Sequence, residues 1–100
     1  MTKKTKVLII DDDRTLSNMY KERLELSGFE AIVSYNGESG LARAHQEKPE
    51  VILLDVMMPK KSGFQVLEEL KQDQQTQDIP VILLTNLANA LFKSSATSTE

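Results

Sequence analysis

The chain of 100 residues has no cysteine, which removes disulfides and thiolate metal sites and fits a reducing compartment. It has only four glycines and no glycine-rich phosphate loop, which argues against a nucleotide-hydrolysing enzyme or a flavin domain. Positive charge is not in excess: 12 Lys and Arg stand against 15 Asp and Glu, a formal net charge of −3. That balance leaves no electrostatic footprint for nucleic acid or an anionic membrane. The single histidine, His45, falls on the polar side of a weak helical pattern and reads as a surface residue. Long apolar runs are also missing. Met1 to Lys6 mimics the basic start of a signal peptide, but the apolar stretch behind it stops after four residues at Asp11. That is too short for secretion or for spanning a bilayer, so a cytoplasmic protein is expected. With 40% hydrophobic and 27% charged residues, the composition is that of one globular domain with a modest core.

What the chain does have is acid at the ends of apolar runs. Val7-Leu8-Ile9-Ile10 leads into Asp11-Asp12-Asp13, and Val51-Ile52-Leu53-Leu54 leads into Asp55. A third run, Val81 to Leu84 behind Pro80, ends in the hydroxyl residue Thr85. Such runs predict strands buried on both faces of a parallel sheet. Set side by side, their C-terminal ends share the edge where open α/β sheets bind ligands.

The segments between predict helices. Leu16, Met19, Tyr20 and Leu24 recur at helical spacing, with Asp13 placed as N-cap and Gly28 as the stop. Phe29 to Ser34 predicts a second strand. Asn36-Gly37 punctuates before a short helix around Leu41, Ala42 and Ala44 that ends ahead of Pro49. Ser62 and Gln65 have capping-box spacing, and Phe64, Val66, Leu67 and Leu70 form the stripe expected to be buried on the following helix. Gln72 to Asp78 predicts a polar loop, and Leu87 to Phe92 the start of a fourth helix. The last residues, 94–100, are rich in Ser and Thr and predict a disordered tail, leaving 1–93 as the domain. Alternation of strand and helix implies right-handed crossovers and a parallel sheet.

Asp11, Asp12 and Asp55 would repel one another at a shared edge unless a cation stood between them. Magnesium prefers oxygen ligands and takes one or two carboxylates together with water and phosphate oxygens, so the trio suits a hard cation beside a phosphoryl group. Asp13, by contrast, is sufficiently explained as a helix cap. Of Met57 and Met58, one is expected to lie packed under its loop, and Lys60-Lys61 to be solvated.

These features together resemble the receiver domain of two-component response regulators. The matching pieces are Val7 to Asp12, the segment from Leu53 through Asp55 to Pro59, Gly63, and Pro80 to Thr85. The resemblance implies a flavodoxin-like, doubly wound α/β fold with strand order 2-1-3-4 for the four strands present. It implies Asp55 as phosphoacceptor, Asp11 and Asp12 as the pair holding Mg²⁺ with Asp55, and the backbone carbonyl of Met57 as a further metal ligand. Thr85 would hydrogen-bond a phosphoryl oxygen. The implied partners are a sensor histidine kinase or phosphotransfer protein and a downstream effector, with neither nucleic acid nor membrane. The module would take part in its own phosphorylation and dephosphorylation rather than turn over a substrate.

The chain departs from the family pattern at its C-terminal side. The family's fifth strand, its lysine and its aromatic switch residue have no counterpart, and Lys93 is too near Thr85 in sequence to serve. Losing that preorganised cation would slow phosphorylation on the order of 100-fold or more. Asn86 stands where the family mostly has a small residue, and apolar Met57 and Leu87 would leave hydrolysis slow. An uncovered fourth strand would expose an edge open to self-association. The other reading is a pseudo-receiver that takes no phosphoryl group and acts through protein contacts.

Overall fold

The computed structural model describes residues 3–85. Along the chain lie β1 (Lys6–Ile10), α1 (Arg14–Leu26), β2 (Glu30–Ser34), α2 (Gly37–Glu47), β3 (Val51–Asp55), α3 (Gly63–Gln72) and β4 (Val81–Leu84). The helix predicted from Leu87, the tail, Asn86, Leu87 and Lys93 lie outside the described residues.

The four strands form one parallel sheet in the order β2-β1-β3-β4, the flavodoxin-like topology the resemblance implied. Alternate residues of β1 point to opposite faces, so two apolar layers form. Leu8 and Ile10, with Ile52 and Leu54 of β3, meet Ala44, Met58, Val66 and Leu70 on the side of α2 and α3. Val7 and Ile9, with Ala31, meet Tyr20, Leu24 and Phe29 on the side of α1. Chain direction reverses outward from β1 and β3, which makes their shared C-terminal edge the topological switch point.

Local chemistry sets the helix ends. The Asp13 carboxylate accepts the Leu16 N–H at 3.0 Å, the cap the sequence predicted. α1 stops in a Schellman motif: Phe29 N–H bonds the Leu24 carbonyl at 2.9 Å and Gly28 N–H the Glu25 carbonyl at 3.1 Å, with Gly28 at φ 93°. Asn36 caps α2 through the Ser39 N–H, and Ser62 with Gln65 closes the predicted capping box on α3.

Several apolar residues depart from expectation. Met19 and Phe64 are exposed rather than packed. At 100° per residue Met19 lies well off the face shared by Ser17, Tyr20 and Leu24, and Phe64 lies almost opposite Val66 and Leu70. Ser17 takes the buried place instead, its hydroxyl donating to the Asp13 carbonyl at 2.8 Å. In β4, Ile82 is 53% exposed, so the third apolar run is not buried on both faces as β1 is. Among the described residues β4 pairs only with β3.

Lys48 closes α2 in the left-handed region (φ 49°, ψ 60°), a conformation that costs a residue with a Cβ about 1 kcal/mol. Lys48→Gly should therefore stabilise the chain by about 0.5–1 kcal/mol in urea unfolding. A loss of stability would show that the lysine side chain contributes more than its backbone costs.

Candidate functional site

β1 and β3 run in register, Ile10 beside Leu54, so the next residues along, Asp11 and Asp55, emerge together at the switch point. Asp12 follows one step later, before Asp13 turns the chain into α1. One carboxylate oxygen from each of Asp11, Asp12 and Asp55 lies within 4.8 Å of the others. Asp11 is 1% exposed and Asp55 4%. The backbone holds both. Asp11 Oδ1 accepts the Asp13 N–H at 2.9 Å, and Asp55 Oδ1 accepts the Met57 N–H at 3.1 Å. The Asp11 N–H in turn donates to the Ser34 carbonyl at 3.0 Å, tying the cluster to β2.

Such crowding is electrostatically unfavourable. Burial first, then the charge and hydrogen bond of Asp55 and the charge of Asp12, push the Asp11 carboxyl up to about 7 against the downward pull of the Asp13 N–H. A group whose folded pKa exceeds its unfolded value of about 3.9 stabilises the fold below that value. That contribution is lost as pH rises toward 7. The metal-free chain should thus lose stability between pH 4.5 and 8, and Asp11→Asn should flatten the dependence and gain about 2 kcal/mol or more at pH 8. Urea midpoints across that range would check both; a wild-type profile as flat as the variant's would refute the crowding.

The donor set fits a hard divalent cation: all-oxygen, acidic and partly buried. The Met57 carbonyl belongs to the loop that Asp55 itself anchors, and Met57 is half-exposed while Met58 is buried beneath it, as anticipated. Thr85 follows Leu84, the β4 residue in register with Asp55, and is exposed at the same edge of the sheet. The geometry therefore gathers the three carboxylates, places the Met57 backbone on the adjoining loop, and sets Thr85 on the neighbouring strand end.

Some of the rim was not foreseen from sequence. The Arg14 guanidinium sits 4.0 Å above the Tyr35 ring, and the Tyr35 hydroxyl donates to Asn18 Oδ1 at 3.3 Å. Nothing in the spacing of these residues signals the contact, since it joins α1 to the β2–α2 loop. A groove of about 510 Å³ runs between the start of α2 and the β3–α3 loop, lined by Asn36, Gly37, Glu38, Pro59, Lys60, Lys61 and Gln65. It is separate from the acidic cluster.

The fold is therefore a flavodoxin-like parallel sheet with an acid cluster at its switch point. The profile of the response regulator receiver domain matches residues 7–99, and the chain belongs to that family. Its transcriptional relatives include the regulatory protein CpxR of Klebsiella pneumoniae subsp. pneumoniae, 48% identical over 80 residues, covering 80% of this chain and 33% of that protein. The DNA-binding dual master transcriptional regulator RpaA of Synechocystis is 43% identical over 82 residues, covering 82% of this chain and 34% of that protein. The chain thus spans about a third of the length of these relatives. Among solved structures it is similar to the chemotaxis protein CheY4 of Vibrio cholerae (25% identity, TM-score 0.78, covering 97% of this chain and 83% of that one). The receiver domain of the Francisella response regulator 1452 is also similar (28% identity, TM-score 0.73, covering 96% and 80%). Among the described residues no helix is long and apolar enough to cross a membrane.

Proposed function

We propose that this domain, residues 1–93, is a phosphorelay receiver that accepts a phosphoryl group on Asp55 from a histidine kinase or phosphotransfer protein. The observation that supports it most is the trio of carboxylates from two strands, held within 4.8 Å at the switch point. Asp11, Asp12, Asp55 and the Met57 carbonyl would hold Mg²⁺, which when bound neutralises charge on the transferring group. Asp55, positioned by the Met57 N–H, supplies the nucleophilic oxygen. Its oxygen bonds phosphorus as the bond from phosphorus to the donor histidine nitrogen breaks, and that nitrogen keeps the electron pair. Thr85 donates its hydroxyl to a phosphoryl oxygen. Because the transition state is loose, the chain contributes mainly position and charge.

The reaction modifies the domain itself, at the expense of the phosphodonor, and turns over no other substrate. Its output is a changed surface for a downstream effector in the cytoplasm. Ile82 and Leu83, exposed on β4, offer apolar area for such an effector or for self-association. The test is intact-mass spectrometry after incubation with acetyl phosphate and Mg²⁺. The gain of one phosphoryl group, lost with a chelator, is expected. No adduct on a chain shown to be folded would overturn the reading in favour of a protein-interaction module.

A further inference from the structure

The one histidine lies far from the acidic cluster, on the last turn of α2, and both of its ring nitrogens face oxygen acceptors. Nδ1 is 3.0 Å from the Leu41 carbonyl, one helical turn back, and Nε2 is 2.7 Å from Asp73 Oδ2. A carbonyl and a carboxylate can only accept, so the ring satisfies both contacts only when each nitrogen carries a proton, that is, as imidazolium. Neutral imidazole has a single N–H and must turn a lone pair toward one of these oxygens.

We propose that His45 and Asp73 form a proton-operated clasp that joins α2 to the loop between α3 and β4, closed when the ring is charged and loosened when it is neutral. Asp73 is the organising residue of that loop. Its Oδ1 accepts the Gln75 N–H at 2.8 Å, and its carbonyl accepts the N–H groups of Thr76 (3.1 Å) and Gln77 (2.8 Å). Thr76, 1% exposed, then donates its hydroxyl to the Leu70 carbonyl at 2.7 Å. The loop feeds directly into β4, whose far end carries Thr85. A histidine on one helix thus holds the residue on which the next loop is built.

The charges around the ring agree with this. Asp73, from the loop, favours the charged ring, and Lys48, from the end of the ring's own helix, opposes it. On α3, Glu69 is paired with Lys61, while Lys71 is turned to the Gln77 and Ile79 carbonyls. The Leu41 carbonyl first and Asp73 second raise the His45 pKa, and the Gln75 N–H first and His45 second hold the Asp73 carboxyl low. A raised imidazolium pKa stabilises the fold fully below the unfolded value of about 6.5, and the effect fades as pH rises through the folded value. A lowered carboxylate pKa stabilises above the unfolded value of about 3.9 and fails as pH falls through the folded one. The clasp is therefore tight in mildly acid solution and loosened in alkaline solution.

The test uses the full chain and two variants that keep size and fold, His45→Gln and Asp73→Asn. An NMR titration of the wild-type ring should give a midpoint above the free imidazole value, and Asp73→Asn should bring it down. Amide exchange at Gln75, Thr76 and Gln77, corrected for intrinsic rates, should be slower in wild type than in His45→Gln by a factor of roughly 2–5 at pH 5.5, the size expected for a partly exposed pair. At pH 8.5 the difference should be clearly smaller than at pH 5.5. A ring midpoint unmoved by Asp73→Asn, or equal exchange in wild type and His45→Gln at pH 5.5, would overturn the clasp.

Discussion

Asp55→Asn should abolish the phosphoryl adduct while leaving the chain folded and, without metal, more stable than wild type. The amide keeps the oxygen that accepts the Met57 N–H at 3.1 Å, so the local turn survives. What it removes is the negative charge that makes the other oxygen a nucleophile. Removing that charge also leaves two carboxylates at the switch point instead of three, which relieves the repulsion that now raises Asp11. Loss of activity with gain of stability is the signature of a functional residue that the fold tolerates rather than needs. Asp11→Asn and Asp12→Asn should cut the rate of adduct formation steeply without abolishing the nucleophile. Tandem mass spectrometry of the wild-type adduct would place the phosphoryl group on Asp55. An adduct that persists in Asp55→Asn would move the site elsewhere.

The second large effect is expected at a residue that carries no side chain. Gly63→Ala should destabilise the domain by about 3 kcal/mol or more and slow phosphorylation in whatever fraction stays folded. A Cβ at Gly63 would land on the Asp55 carbonyl oxygen and come within 2.7 Å of the Val56 Cα. Both are backbone atoms, so no side chain can swing aside. The Gly63 N–H meanwhile bonds the Val56 carbonyl at 3.0 Å, which clamps the first turn of α3 against the end of β3. Pushing these apart shifts Asp55 itself. Urea unfolding with acetyl phosphate kinetics would check it, and an alanine variant as stable as wild type would show that the contact can relax.

The candidate site was largely legible in the residues because each acid closes a run of aliphatics. Four-residue apolar runs ending in Asp11 and Asp55 require buried parallel strands, and parallel strands place their C-terminal ends on one edge. The caps at Asp13 and Ser62 and the stop at Gly28 were legible for the same local reason: each is satisfied within a few residues of chain. Met19 and Phe64 misled because apolar character at loose helical spacing leaves the exact face open. Only the sheet beneath decides which 100° step is covered.

What depends on distant chain could not be read in advance. The Arg14–Tyr35 stack, the bond from Asp11 to the Ser34 carbonyl and the His45–Asp73 pair each join elements far apart in sequence, and no local pattern marks them. The same holds for the elevated pKa of Asp11, which follows from the meeting of two strand ends rather than from the acids themselves. The sequence by itself determined the elements, their caps and the acids that end the first and third strands, because those follow from periodicity and short-range bonding. How deeply the acids are buried, how far that shifts Asp11 and which contacts the histidine forms were decided only by tertiary structure, because electrostatics and packing act through space.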